Sequence, residues 1–461
     1  MTHFGEADLP MLSGRLDDDA AVLACFTGEE EKNVAELPVK PERDARQQKV
    51  AETVFASTRV LRDRFMALHA DDVYDAVTDR RTARPRLAEL AFAAAERFPG
   101  LVPTRAQLDA ERKFIQAHKD GREIDQGVFF RGLLRSPVAG HHLMETMLLA
   151  SPRALRLLDD FRRTGDLDLG AVRIRRLDGA AHLTIDNGHC LNAEDDGLVA
   201  DLETAVDLAL LDDEVRVGAV RGAAMNHPRY LGRRVFSAGI NLKDLQGGHI
   251  SFVDFLLRRE LGFISKIFRG LRHDTAGGGL CEQAVHKPWV AAVDSFAIGG
   301  GMQLLLVFDR VIAADDAYFS LPAAQEGIVP GAGNLRLTRL TGARLARQVV
   351  LSGRKIAADS PEGRLICDEA VPTEAVDGAV DAAVRELDAP AVVANRAMLH
   401  LAEEPPDLFR AYMAEFAMAQ ATRLYSADVL DKVGTARTRA QDAERSPAAE
   451  RREGLDAGTR P

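Results

Sequence analysis

The chain has 461 residues and a formal net charge of -11, and no apolar stretch approaches the roughly 20 residues of a membrane helix. The acidic balance argues against the broad basic surface of a nucleic-acid-binding protein. We therefore expect a soluble, cytoplasmic protein that binds neither nucleic acid nor membranes, built from a main domain with additions. Four scattered cysteines form no C-x-x-C pair, which favours reduced thiols. They are Cys25, Cys190, Cys281 and Cys367.

Residues 1–169 carry a helical pattern. Apolar residues recur at spacings of three and four from about residue 10, which is typical of helices that bury one face. Thr104 and Gln107 stand at the spacing of a capping box ahead of one such helix. The sequence predicts an all-helical N-terminal region, and nothing in its pattern indicates a chemistry.

The pattern changes near residue 170. Apolar and polar residues now alternate on both sides of Asp178 and Gly179, which predicts two strands joined by a tight hairpin. Strand-like and helix-like segments then alternate, so residues 170–365 are predicted to form an α/β core. Helices are predicted again over residues 366–433. The polar, charged segment 434–461 is predicted to be disordered.

Two loops of the core bring small residues to a predicted strand end. The segment SFAIGGGMQ spans residues 295–303, and FSAGINLKDL spans residues 236–245. Backbone amides at such turns can donate hydrogen bonds to a negatively charged oxygen, and two of them together form an oxyanion hole. For the triple glycine alone, tight packing of helix against strand is an equal alternative. The candidate residues of these loops are Ser237, Ala238, Gly239, Ile240, Asn241, Gly299, Gly300 and Gly301.

Four spaced motifs together carry a family resemblance. SAGI-NLK, A-x-GGG-x-Q, D-x-A-x-F-x-x-P and GIVPGAG make residues 170 to 370 similar to the crotonase (enoyl-CoA hydratase/isomerase) superfamily. The resemblance implies a crotonase-like ββα spiral core and an acyl-CoA thioester as ligand. It also implies an oxyanion hole formed by the amides of Ile240 and Gly300, and a homo-oligomer, either a trimer or a hexamer.

Two positions depart from the hydratases of this superfamily. Where those enzymes carry catalytic glutamates, this chain has Gln303 and Ala323. Adding water to a double bond needs one group that takes a proton and one that gives it, and neither an amide nor a methyl group does so. We therefore expect the hole to be kept and the hydratase chemistry to be lost. Glu326, three residues further on, is interpreted as a structural or surface carboxylate.

An oxyanion hole without acid or base suits a substrate whose α-proton is already acidic, such as an arylacetyl-CoA. The long helical region and the segments SAGINLK, RRELG and GGG-x-Q resemble crotonase-like dioxygenases of glycopeptide antibiotic biosynthesis. This resemblance implies that O2 and 3,5-dihydroxyphenylacetyl-CoA become 3,5-dihydroxyphenylglyoxylate and CoA, with neither metal nor organic cofactor. An acyl-CoA hydrolase, an enoyl-CoA hydratase or isomerase using other residues, and a non-catalytic binding protein remain alternatives.

Charged residues in the segment after Ser251, a predicted helix N-cap, are candidates for recognising the ring. Helical periodicity places Arg259 at the edge of an apolar face and Glu260 near its centre. An inward-facing charge needs a partner, so either the two join a buried ion-pair network or Arg259 faces a polar ligand. The resemblance favours Arg259 and Glu194 as ligands of the two ring hydroxyls.

Two further residues complete the predicted site. Gln303 offers both a donor and an acceptor, and it could hold a peroxy intermediate or the ring without transferring a proton. Ile328 could form the wall of a dry apolar space for O2, or it could belong to the core. We predict Ile240, Gly300 and Gln303 as catalytic residues.

Three histidine-containing segments are candidates for a metal site. They are HAD at 69–71, HKD at 118–120 and HHLME at 141–145. The first two lie in predicted helical segments, where residues two apart do not share a face. We interpret the histidine and glutamate of the third segment as a packed or capping pair. We therefore expect no metal site.

Overall fold

The computed structural model describes residues 9–272 and 284–430. Cys281 and the tail predicted to be disordered both lie outside these ranges. Within them, every helix is too short or too polar to cross a membrane.

The N-terminal region is helical, as predicted. Thr104 begins one of its helices, and its Oγ1 accepts a hydrogen bond from the Gln107 amide at 3.3 Å while its own amide donates to Gln107 Oε1 at 2.9 Å, which confirms the capping box. The helices of this region are α1 (Leu16–Ala35), α2 (Ala45–Val77), α3 (Leu87–Arg97), α4 (Arg105–Glu111), α5 (Arg122–Arg135), α6 (Pro137–Met147) and α7 (Pro152–Thr164).

The strands of the described residues form a long mixed sheet, a three-stranded sheet and a two-stranded antiparallel sheet. Asp178 and Gly179 have φ values of 49° and 82°, so the predicted hairpin turn is confirmed. The strands are β1 (Asp166–Asp168), β2 (Val172–Leu177), β3 (Ala180–Ile185), β4 (Val217–Gly222), β5 (Leu271–Arg272), β6 (Ala284–Val285), β7 (Trp289–Val293), β8 (Phe296–Ile298), β9 (Arg310–Ala314), β10 (Tyr318–Ser320), β11 (Ile356–Ala357) and β12 (Glu369–Val371).

The long sheet has the order β1-β2-β3-β4-β7-β9-β12, and its strands are parallel from β3 onward. The three-stranded sheet has the order β11-β10-β8. Helices cover the parallel strands, which explains why every residue of β7 is buried. The remaining helices are α8 (Asp196–Leu211), α9 (Leu242–Gly247), α10 (Ser265–Arg269), α11 (Gly300–Leu305), α12 (Ala323–Glu326), α13 (Gly333–Ser352), α14 (Val376–Leu387), α15 (Pro390–Glu403) and α16 (Pro406–Arg423).

The N-terminal and C-terminal helices pack together beside the core. α16 lies so close to α5 that a Cβ atom at Gly127 would approach Ala421 Cβ to 2.6 Å. Gln116, which precedes α5, also donates to the Leu424 carbonyl at 3.2 Å. The two helical regions therefore stabilise each other, although about 280 residues separate them in the sequence.

The segment after Ser251 differs from the regular helix expected there. Ser251 does cap it, because its Oγ accepts from the Asp254 amide at 3.0 Å. However, Phe252–Leu257 and Glu260–Ile264 are π-helical, and Gly262 has non-helical φ and ψ values of -93° and -109°. The wider turns change the helix geometry, but the predicted inward positions of Arg259 and Glu260 are confirmed, because these residues are only 4% and 2% exposed.

The packing of β4 against β7 predicts the effect of one substitution. A Cβ atom at Gly218 would lie 2.2 Å from the Trp289 ring, which is fully buried. We expect Gly218→Ala to lower the free energy of unfolding by about 1–3 kcal/mol, because the ring must move within a filled core. Denaturant unfolding measures this change. Gly378→Ala, at an open position of α14, is the control and should be neutral or stabilising, so equal stability of the two variants would contradict the expectation.

Candidate active site

The two glycine loops lie against each other. Ser237 and Ala297 form a parallel bridge, and the Ile298 amide donates to the Ser237 carbonyl at 2.9 Å. Gly239 and Gly299 have φ values of 89° and 55°, which side-chain-bearing residues rarely adopt. A Cβ atom at Gly299 would also lie 3.1 Å from Gly239 Cα. These two glycines therefore allow the loops to touch.

The next two glycines are required by neighbouring side chains. A Cβ atom at Gly300 would lie 2.5 Å from Glu194 Oε1, and one at Gly301 would lie 2.6 Å from Ser237 Cβ. The triple glycine thus combines a special backbone conformation with two close approaches. Tight packing is thus confirmed for the triple glycine, whereas its role in an oxyanion hole stays a prediction.

The amides of Ile240 and Gly300 are available as donors. Neither one donates a hydrogen bond to another residue in the described ranges, although the groups around Ile240 are paired. The Glu194 amide donates to the Gly239 carbonyl at 2.7 Å, and the Asn241 amide donates to the Glu194 carbonyl at 2.8 Å. Ile240 and Gly300 also line one cavity. This arrangement can stabilise an anionic oxygen.

Arg259 stands at the centre of a buried hydrogen-bond network beside the hole. It is 4% exposed, and its Nε and Nη2 both donate to the Glu194 carboxylate, with 3.2 Å between Nη2 and Oε1. Its Nη1 donates to Glu260 Oε1 at 2.8 Å and to Gln303 Oε1 at 3.1 Å. Its Nη2 also donates to the Gly300 carbonyl at 2.6 Å. Every N–H group of the guanidinium therefore has an acceptor.

Burial alone would lower the pKa of Arg259, but the carboxylates of Glu194 and Glu260 raise it above its ordinary value. Arg259 is therefore a permanent cation. Of the two alternatives for this residue, the structure contains the buried ion-pair network. Its role as a ligand of a ring hydroxyl stays a prediction, and so does that of Glu194, because the two side chains bind each other here.

The network continues away from the hole. Glu260 Oε2 accepts from the Ala332 amide at 3.1 Å and lies 3.8 Å from Arg336 Nη1. Arg336 pairs in turn with Glu404 at 3.0 and 3.1 Å. Positive and negative side chains alternate along this series of ion pairs, so each buried charge has a partner of opposite sign. The network links the site to α13 and to the segment that precedes α16.

A narrow cavity of about 40 Å³ joins the predicted site residues. Glu194, Arg259, Gln303 and Ile328 line it together with the hole. Sites for drug-sized ligands are larger, about 300 Å³ or more, so an arylacetyl group requires the wall to open. Apolar side chains form much of that wall, namely Ile240, Phe255, Leu256, Leu321, Ile328 and Phe416.

Ser237, Asn241 and Gly301 do not line this cavity; they support the loops. Ser237 Oγ accepts from the Gly239 amide at 3.1 Å, and Asn241 Oδ1 accepts from the Lys243 amide at 3.1 Å at the start of α9. Ala238 packs in a small cluster with Phe296 and is likewise outside the cavity lining. The structure thus separates residues that face the site from residues that hold its backbone.

Glu326 is the cavity residue whose position the sequence interpretation placed wrongly. It lines the cavity with Ala323, and its carboxylate has no hydrogen bond or ion pair in the part of the chain that the structure describes. Burial raises its pKa to about 7. It is therefore a half-buried group of the cavity wall that forms no ion pair within the described residues. Its spacing from Ala323, which brings residues of one helical turn to the same face, is the signal that could have found it.

The three histidine-containing segments are used structurally. His69 Nε2 lies 2.8 Å from Asp19 Oδ2, Asp120 pairs with Arg43 at 2.6 Å, and Glu145 pairs with Arg272 at 2.9 Å. The described residues contain no group of three or more His, Cys, Asp or Glu side chains arranged to hold a metal. The independence of the reaction from metals stays a prediction.

Removing Arg259 tests the network. We expect Arg259→Ala to lower the free energy of unfolding by about 3–5 kcal/mol, because Glu194 and Glu260 would stay buried without their cation. The matched control is Arg258→Ala, since Arg258 is partly exposed and its partner Glu203 keeps Lys266 at 2.9 Å. Thermal and denaturant unfolding of both variants measure the difference. Similar losses in the two variants would contradict the central place given to Arg259.

The chain is similar in sequence to several known proteins. The sequence profile of the enoyl-CoA hydratase/isomerase family matches residues 280–443. The (3,5-dihydroxyphenyl)acetyl-CoA 1,2-dioxygenase of Amycolatopsis orientalis is 55% identical over 427 residues, which cover 93% of this chain and 98% of that protein. A probable enoyl-CoA hydratase of Rhizobium meliloti (strain 1021) is 30% identical over 203 residues, or 44% of this chain and 69% of that protein.

Among solved structures, OdaA of Pseudomonas aeruginosa is similar at 23% identity and a TM-score of 0.48, with 57% of this chain and 98% of that chain covered. The similarity to the Amycolatopsis protein extends through the N-terminal helices, whereas the similarity to the Rhizobium protein covers less than half of this chain. The chain belongs to the enoyl-CoA hydratase/isomerase, or crotonase, family.

Proposed function

We propose that this chain is a dioxygenase that converts 3,5-dihydroxyphenylacetyl-CoA and O2 into 3,5-dihydroxyphenylglyoxylate and CoA. One observation carries the proposal: the two amides of the oxyanion hole are available, while Gln303 and Ala323 stand where hydratases carry catalytic carboxylates. The Amycolatopsis relative, which matches over 98% of its length, is named for oxygenation of this thioester.

In the proposed reaction, the thioester oxygen accepts hydrogen bonds from the Ile240 and Gly300 amides. These donors stabilise the charge that the oxygen gains when the α-proton leaves, and one such donor contributes about 10²–10³-fold to a rate. The dihydroxyphenyl ring spreads the same charge further. The product of this step is an enolate that is electron-rich enough to react with O2.

The ring binds at the Glu194–Arg259 pair in this proposal. A phenol hydroxyl donates to Glu194, whose oxygens have lone pairs beyond those used by Arg259. A hydroxyl that accepts from Arg259 must displace one of its present acceptors. Entry of the ring therefore separates this ion pair and widens the cavity, and the hydroxyls compensate the lost contacts.

Dioxygen reacts beside the apolar wall at Ile328, Phe255 and Phe416. The enolate gives one electron to O2, and the two radicals combine as a peroxide at the α-carbon. The peroxide attacks the thioester carbon and expels CoA. The second α-proton then leaves to solvent, and the electron pair of that C–H bond forms the ketone as the O–O bond breaks, so that one oxygen remains in the ketone and the other in the carboxylate. The methylene carbon supplies the electrons, so the reaction needs no reductant, and we propose that it uses neither metal nor organic cofactor.

The same family resemblance supports a role in antibiotic biosynthesis, a cytoplasmic location and a homo-oligomer. Apolar side chains exposed on the C-terminal side of the core are consistent with assembly. They are Leu340, Leu351, Leu365, Met398, Leu399 and Leu401.

One assay separates the proposed function from its alternatives. Metal-stripped protein is incubated with 3,5-dihydroxyphenylacetyl-CoA while dissolved oxygen and free thiol are followed together. We expect one O2 consumed for each thiol released, and no thiol release without oxygen. Thiol release at an unchanged oxygen level would instead identify a hydrolase. Hydration of an enoyl-CoA would identify a hydratase.

A carboxylate at position 303 tests why the glutamate is missing. We expect Gln303→Glu to fold, because Arg259 Nη1 can donate to a carboxylate as it does to the amide oxygen. The new charge lies beside Glu194 and Glu260, so it opposes formation of an enolate and slows oxygen uptake tenfold or more, that is by about 1.4 kcal/mol or more. Faster oxygen uptake would contradict this explanation.

A further inference from the structure

The cavity contains four ionisable side chains, and three of them are committed to one another. Glu194 and Glu260 both accept hydrogen bonds from Arg259. Glu260 also accepts from the Ala332 amide at 3.1 Å. Both carboxylates are therefore engaged by a buried cation. Arg259 itself keeps its proton because its pKa is raised.

Glu326 is the fourth, and it is held differently. Glu326 is the last residue of α12. The side chain of its neighbour Gln325 donates a hydrogen bond to the Ser352 carbonyl at 3.0 Å, which holds α12 against the end of α13. On its other side, Arg423 of α16 donates to the Gly327 carbonyl at 2.6 Å. The backbone around Glu326 is thus fixed by two helices, while its carboxylate is left without a partner in the described ranges.

The charged groups that surround Glu326 do not compensate its charge. Arg423 pairs with Asp428 at 2.5 Å behind the turn, and Arg259 is saturated across the cavity. Burial is accordingly the cause of the raised pKa, and the value of about 7 lies near the pH at which a general base works best.

We propose that Glu326 is the catalytic base that removes the α-proton of the thioester. The inference rests on the proposed function, and it supplies the proton acceptor that Gln303 and Ala323 lack. The Glu326 carboxylate forms a new O–H bond, the α-carbon loses its C–H bond, and that electron pair becomes the enolate whose oxygen the Ile240 and Gly300 amides hold. One negative charge moves from the carboxylate to the enolate.

Hydrogen exchange isolates this step from the reaction with O2. The full-length protein is incubated with 3,5-dihydroxyphenylacetyl-CoA in D2O without oxygen, and deuterium at the α-carbon is measured by mass spectrometry. We expect wild-type protein to catalyse exchange, with a rate that rises with pH and levels off above about 7. Glu326→Gln should exchange at least 100-fold more slowly, within the range typical of a lost general base, and should lose the pH dependence near 7.

Two variants make the result specific. Glu326→Asp keeps a carboxylate and should recover part of the exchange, while calorimetric titration without oxygen should show that all variants bind the thioester. Glu111→Gln is the matched control, because burial also raises the pKa of Glu111 to about 7 but its carboxylate accepts from the Gly121 amide at 2.9 Å, away from the cavity. It should exchange like wild type.

The outcomes separate the two proposals. Exchange by Glu326→Gln within threefold of wild type, or no exchange by wild type, would overturn the assignment of the base. Exchange by wild type that depends on Glu326, but without oxygen uptake under air, would keep the base and reject the dioxygenase.

Discussion

The guanidinium of Arg259 is the interaction on which this site depends. A buried cation is tolerated only when its donors are satisfied, and Arg259 meets this condition by contacting Glu194, Glu260, Gln303 and the Gly300 carbonyl together. These partners come from separate parts of the chain. The ion pairs thereby fix the position of the second oxyanion loop relative to the wall that carries Glu194. Arg259 is therefore a positioning residue of the site.

That constraint also explains the glycines. Glu194 can reach Arg259 because Gly300 has no side chain, since a Cβ atom there would lie 2.5 Å from the carboxylate. Gly331 leaves room for Glu260 in the same way, because a Cβ atom at position 331 would lie 2.0 Å from Glu260 Oε1. These glycines therefore leave space for the ion-pair network, in addition to leaving the Gly300 amide accessible.

Much of this arrangement could be predicted from local pattern. The capping box at Thr104, the hairpin at Asp178, the cap at Ser251 and the pairing of two glycine loops each depend on residues close in sequence, or on motifs with fixed spacing. The π-helical turns could not be predicted, because Gly262 departs from helical geometry where the Glu203 carboxylate lies 2.9 Å from the place of its Cβ atom. Likewise, Glu326 was misplaced because its environment is made by α13 and α16, which are distant in sequence.

The carboxylates that line the cavity differ in whether a cation pairs with them. Glu194 and Glu260 both pair with the guanidinium of Arg259. Glu326 has burial without a cation, which makes its charged form costly and its protonated form accessible. When a proton passes from a substrate carbon to such a group, the negative charge leaves a site that stabilises it poorly. In the proposed reaction the charge then passes to the thioester oxygen, which accepts hydrogen bonds from two backbone amides. Hence the loss of both hydratase carboxylates is compatible with carbanion chemistry in this fold.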